Sequence, residues 1–267
     1  PGIFEGKASG DGLLGFSYLP GIVFDHSIDL AVTAPQRVGP LMLTPEANGQ
    51  VANPVPFGVV PLWLPFYALG LGYQRVAGLA ITGRAPIDYW FTGLGSFAYG
   101  IGGAFILWTL LARRLGAAAA RFGTVSVLAA TPLAWYVVTQ PLAQHATAFF
   151  LVTLLVERWD AWRDEPDAAR VALLGALGGI AMSVRIQSAP WVALVGLDLL
   201  VTAGSLRQRV ITCVCLGGVA LLAVSPQLYV WSLQFGSIRV PQDPGHMRWW
   251  NPALVESLFS MRAGLLP

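Results

Sequence analysis

Tyr89–Ala112 reads YWFTGLGSFAYGIGGAFILWTLLA, without one charged residue, and closes on Arg113-Arg114. About 20 mostly apolar residues suffice to cross the hydrocarbon of a bilayer as a helix, and this run exceeds that. Working outward, further apolar runs follow at about Ala117–Val138, His145–Val156, Val171–Val184, Ala189–Thr202 and Val210–Val230. The expectation is six spans, give or take one. Several are short and must draw on flanking residues. The composition agrees: 55% of residues are hydrophobic and 11% charged, against about 25% charged in soluble domains. Mean hydropathy is +0.61. The reading is an all-α, polytopic transmembrane helix bundle.

The connecting loops give its sidedness. Arg113, Arg114 and Arg121 lie in one, Arg158, Arg163 and Arg170 in the next but one, and Arg207 and Arg209 in a third. The alternate connection Gln140–Gln144 has no arginine, and the turn Arg185–Gln187 has one. Lys and Arg accumulate on the cytoplasmic side. By alternation, residues 1–88 form an extracytoplasmic first loop, 89–230 the membrane bundle, and 231–267 a second extracytoplasmic segment. Two separated polar segments then meet on one face. Pro54–Gly72 is apolar but punctuated by Pro54, Pro56, Pro61 and Pro65. A helix lying in the interface, or re-entering, keeps the arginine-rich loops on their side. With no initiator Met, the chain reads as a piece lacking an N-terminal span and further helices beyond 267.

Several features read as structural. Gly175 and Gly179 form a GxxxG, and Gly100 with Ala104 a small-xxx-small pair, both signs of close helix packing. Cys213 and Cys215 face different directions on a helix and read as inert buried thiols. The net charge of +2 says little, since charge in a membrane protein matters by side; no basic tract and no nucleic-acid motif occurs, so no nucleic-acid partner is expected. No zinc motif, Ser-His-Asp signature, P-loop or haem motif occurs.

Residues that could carry chemistry collect outside. Asp11 sits between Gly10 and Gly12, which leave its carboxylate accessible for general-base work or for holding an acceptor or metal; Asp-Gly is equally a common turn. Asp25, His26 and Asp29 form a polar knot that fits a metal contact or a solvated cap. His145 opens a span on the outer face and could meet a phosphate or sugar. Arg185 interrupts an apolar run with Gln187 beside it. An arginine at the membrane edge is costly and wants an anionic partner, such as a lipid phosphate, unless it snorkels. The tail offers Arg239, Asp243, His246 and Arg248 beside Trp249 and Trp250, suited to sugar faces or to an interfacial belt.

The order of these features resembles a known family. Gly10-Asp11-Gly12 is followed by Tyr18-Leu19-Pro20 and Phe24-Asp25-His26-Ser27-Ile28-Asp29-Leu30. Asn53-Pro54-Val55-Pro56-Phe57-Gly58, Leu62-Trp63-Leu64-Pro65-Phe66, Thr131-Pro132-Leu133-Ala134-Trp135-Tyr136, and His145 ahead of Phe149-Phe150 come next. Pro241-Gln242 and Leu258–Leu265 complete the set. The whole resembles the GT-C class of bacterial membrane glycosyltransferases, which includes protein O-mannosyltransferases and the aminoarabinose transferases of lipid A. The resemblance implies sugar transfer from a polyprenyl-phosphate carrier to a glycan, lipid or protein acceptor on the extracytoplasmic face of a bacterial plasma membrane. Asp11 matches the family's first-loop aspartate and is expected to deprotonate or orient the acceptor. Arg185 is assigned here to the donor phosphate, with Gln187, His145, Asp25 and Arg248 as further substrate contacts. A divalent metal ion is the alternative counter-charge. Gly12 stands where many relatives carry a second acidic residue, and Asn53-Pro54-Val55-Pro56 replaces a His-Pro-Pro, which points to a less characterised branch. A transporter or flippase of lipid-linked sugars is the rival class, though no repeat of the kind such proteins carry is visible.

Overall fold

The computed structural model describes residues 10–34 and 45–238, and among these every regular element is helical. Eleven α-helices are described. α1 (Asp11–Pro20) continues through a π turn (Gly21–Asp25), then comes the short α2 (Leu30–Thr33). A 3-10 turn (Phe57–Val59) leads into α3 (Val60–Val76) and the long α4 (Pro86–Leu115). α5 (Ala117–Ala130), α6 (Leu133–Val138), α7 (His145–Trp162) and α8 (Ala168–Val184) follow. α9 (Ala189–Thr202), α10 (Leu206–Thr212) and α11 (Val219–Phe235) complete the set.

Two of these runs are long and apolar enough to cross a membrane: Pro86–Leu115, and Leu206–Phe235, in which a π segment (Cys213–Gly218) joins α10 to α11. Each has 30 residues. α8 and α9 are apolar but have only 17 and 14 residues, about 26 and 21 Å at 1.5 Å per residue. The run expected as one span over Ala117–Val138 is instead two helices. Pro132 lacks an N–H and drives the preceding residue out of the helical region, and Thr131 is extended (φ −122°, ψ 162°). The prolines of Pro54–Gly72 do not prevent a helix there. Pro54 and Pro56 precede α3, Pro61 lies in its first turn, and the helix runs on through Pro65.

Helix packing follows small residues. α8 lies against α11 and the π segment, where a Cβ on Gly175 would sit 2.5 Å from Leu216 O and one on Gly179 2.4 Å from Ala220 O. The GxxxG is therefore a packing face. Gly100 serves α4 likewise, with Val137 filling the space a Cβ would take. α3 buries Val60, Trp63, Tyr67, Gly70 and Gln74, one stripe at alternating spacings of three and four, against α1 and α4. The thiols are free: Cys213 is exposed on the outer side of its π segment rather than buried, while Cys215 packs against the Leu174–Leu216 cluster.

Gly58 has the tightest of these contacts. It lies in the 3-10 turn, and a Cβ there would meet Ser183 C and O at 2.2 Å. No side-chain rotation relieves a clash with backbone. Gly58→Ala is expected to destabilise the fold by about 1–3 kcal/mol or more, as overpacking does. Gly72→Ala, where a Cβ meets nothing within 4 Å, is the neutral control. Thermal unfolding of the two variants in detergent reads the difference; equal midpoints would contradict this packing.

The described ion pairs gather mainly at one end of the bundle. Arg113 and Arg114, closing α4, meet Glu157 and Asp160 on α7 at 2.9 and 2.7 Å. Arg163, just past α7, meets Asp198 on α9 at 3.1 Å and lies over the Trp159 ring. Arg158 pairs with Glu157, and Arg170 with Asp167 at the start of α8. The loops holding Arg113–Arg114 and Arg158–Arg170 are thus joined through α7, and a cavity lined by Arg163, Asp167, Thr202 and Gln208 sets the third arginine-bearing turn beside them.

Candidate functional site

The opposite ends of α7 and α8 carry a different chemistry. His145 is the first residue of α7 and Arg185 follows the last residue of α8. At 1.5 Å per residue, His145 is about 22 Å along α7 from Asp160. Here a cavity of about 200 Å³ is lined by Asp11, Pro54–Pro56, Gln144, His145, Arg185–Gln187 and Trp231, among others. Four segments distant in sequence meet: the start of α1, the strap before α3, the α6–α7 turn and the α8–α9 turn, with α11 as the back wall.

Each polar side chain is placed by local structure. Gly10, at φ 55°, takes a left-handed conformation that favours glycine and turns the chain into α1. Asp11 is then the first helical residue and is exposed. A carboxylate at a helix start is favoured by the helix dipole. Among the described residues Asp11 makes no hydrogen bond and no ion pair. Gln144 is spent on architecture: its Nε2 donates to Pro56 O at 2.9 Å and holds the strap.

Arg185 ends α8 in extended conformation (φ −148°, ψ 117°), and its Nη1 lies 3.1 Å from His145 Nε2. A guanidinium only donates, so the imidazole nitrogen facing it accepts and the ring is neutral. Tyr136 stacks on that ring, with centroids 3.6 Å apart and planes 13° apart. His145 thereby fixes the guanidinium without neutralising it. Among the described residues no carboxylate lies within ion-pair distance of Arg185. The cavity therefore holds one carboxylate and one guanidinium that do not cancel each other.

The first loop is tied to the end of α11 beside this cavity. The single O–H of Tyr18 is shared between two acceptors, Val55 O and Gln234 Oε1, each at 3.2 Å. Burial pushes the Tyr18 phenol above its ordinary pKa, against a smaller opposite effect of its Gln234 hydrogen bond, so it stays a donor. Gln234 Nε2 donates to Ile28 O at 3.0 Å, and Asn48 Nδ2 to Leu233 O at 2.8 Å.

Of the residues singled out in the sequence, Asp11, His145, Arg185 and Gln187 line this one cavity. Asp25 does not. It pairs with Arg84 and lines a separate cavity of about 320 Å³ with Phe16, Ser17 and Thr33. The helical path from Asp11 to Asp25 explains this, since 14 residues at helical rise span about 20 Å. Asp29 caps α2, accepting from Ala31 N at 2.9 Å and Val51 N at 3.2 Å, so the cap reading holds for it. Arg248, Trp249 and Trp250 lie outside the described residues. Sequence reasoning missed Trp231, Tyr136 and Gln144. In the sequence Tyr136 is one aromatic in an apolar stretch, and only its ring stack on His145 distinguishes it.

A divalent metal fits this cavity poorly. Among the described residues Asp11 is its single carboxylate, and the Arg185 guanidinium already faces its single imidazole. Among the described residues no cluster of three His, Cys, Asp or Glu is present. Comparisons with protein-family models, with curated proteins and with solved structures return no match for this chain.

Proposed function

We propose that this chain is a polytopic membrane glycosyltransferase that moves a sugar from a polyprenyl-phosphate donor to an acceptor on the extracytoplasmic face. The observation that carries the reading is that one cavity brings together a carboxylate, Asp11, and a guanidinium, Arg185, neither of which has an ion-pair partner among the described residues. The acceptor hydroxyl attacks the anomeric carbon while Asp11 takes its proton. The bond from that carbon to the phosphate oxygen breaks, and the phosphate leaves with the electron pair. Arg185 offsets the charge that develops on it. Attack opposite the leaving group inverts the anomeric centre. His145 and Tyr136 orient the guanidinium.

The membrane setting rests on the surface. Phe105 on α4, Phe122 on α5, Leu197 and Val201 on α9, Leu206 on α10 and Leu222 on α11 are all more than half exposed. Apolar area on so many helices is a contact surface for lipid or partner, not an ordinary water-facing one. In the proposed bundle α4, α5 with α6, α7, α8, α9 and the α10–α11 run all cross. The ion-paired arginine end faces the cytoplasm. The cavity, at the other ends of α7 and α8, opens outside.

The fate of label on a radiolabelled polyprenyl-phosphate sugar tests the function in membranes holding this chain. Label leaving the lipid is expected. Label crossing the bilayer while still lipid-bound would instead establish a flippase.

A further inference from the structure

Gln144 is 5% exposed and lines the cavity, and only its nitrogen is spent on the strap. Pro56 O can only accept, so the amide end that meets it at 2.9 Å is the NH2 and the far end is the oxygen. That Oε1 takes no hydrogen bond from any described residue; Gln144 stands at the start of α7 without its side chain capping the helix. Nor is Oε1 among the unbonded polar atoms that packing closes off, as Trp231 Nε1 and Gln227 Nε2 are. An acceptor on so buried a side chain is costly unless something donates to it, and the cavity is where a donor can reach it.

The neighbours of this oxygen narrow the donor. Gln144 and His145 are consecutive, with Cα atoms about 3.8 Å apart, and the His145 ring meets the Arg185 guanidinium at 3.1 Å. The amide oxygen and the guanidinium thus border one cavity of about 200 Å³ and face one ligand. In the proposed donor the phosphodiester oxygens only accept, so they suit Arg185 and are repelled by a carbonyl. The prenyl chain has no polar hydrogen. The sugar hydroxyls alone can donate. We infer that Gln144 is a sugar-binding residue whose Oε1 accepts a hydrogen bond from a hydroxyl of the donor sugar while Arg185 holds the phosphate. This deepens the proposed function and rests on it. Because the strap contact already fixes the amide, binding costs no further ordering of this side chain.

The test couples one sugar hydroxyl to this oxygen, by titration of the full chain in detergent with no acceptor present. The probes are farnesyl methyl phosphate, which lacks a sugar, the farnesyl-phosphate esters of mannose, glucose, galactose and arabinose, and the monodeoxy forms of the tightest of these. In the wild type one sugar ester is expected to bind more tightly than the methyl ester, and one deoxygenation to weaken it about ten-fold, the scale of a hydrogen bond whose loss leaves a buried partner unmet. In Gln144→Met the same deoxygenation should cost nothing, and the methyl ester should bind as before. If the lost strap contact unfolds that variant, Gln144→Lys keeps a donor for Pro56 O and still lacks the acceptor. A residue that only held the strap would weaken every probe alike. That outcome, or a deoxygenation penalty that survives in the variant, or a wild type indifferent to the sugar, would overturn the role of Gln144 while leaving Arg185 its phosphate. A wild type that does not bind even the methyl ester would overturn the phosphate reading of the cavity as well.

Discussion

Asp11→Asn is expected to lower sugar transfer by about 10²- to 10⁴-fold, the range a positioned general base contributes. The expectation rests on what the carboxylate does not do. It makes no hydrogen bond and no ion pair among the described residues, so amidation removes no structural contact. The only structural cost is the favourable charge at the start of α1, about 0.3–1 kcal/mol. Turnover should therefore fall with helical content and melting temperature nearly unchanged. The Michaelis constant for the lipid donor should move little, because the proposed reaction gives the phosphate to Arg185 and not to Asp11. Turnover retained in Asp11→Asn would remove Asp11 from the chemistry.

Arg185→Gln is the second large effect. Removing a preorganised donor from developing negative charge costs about 10²- to 10³-fold in turnover. Unlike Asp11, Arg185 should act on donor binding too, since in the proposed reaction its charge meets the phosphate before and during bond breaking. Arg185→Lys should recover part of the loss, because it restores the charge without the planar fork. The substitution strands no buried carboxylate, as none pairs with Arg185 among the described residues; it leaves only the His145 ring without its donor. A variant that folds and turns over donor at the wild-type rate would show that the guanidinium merely seeks the interface.

Much of this arrangement was legible in the chain before folding. The charge-free stretch ending in Arg113-Arg114 became a single helix, and Gly175 and Gly179 became a contact with α11. Alternation of arginine-rich and arginine-poor loops separated the two ends that the structure keeps apart. It also put Asp11, His145 and Arg185 on one face, although 174 positions separate the first from the last. What stayed hidden depended on distances that periodicity does not encode. Asp25 looked equivalent to Asp11, but the helical path between them carries it to Arg84. Thr131-Pro132 lay inside an apolar run whose hydropathy outweighed a backbone break. Trp231 reads as one more aromatic in an apolar helix, and only its place in the cavity wall sets it apart.

The most direct measurement presents radiolabelled polyprenyl-phosphate sugar and acceptor to sealed membrane vesicles of each orientation, one with the cavity face outward and one with the arginine face outward. The account predicts release of label from the lipid only when donor and acceptor reach the cavity face. Release confined to the arginine face, or no release from either, would contradict it.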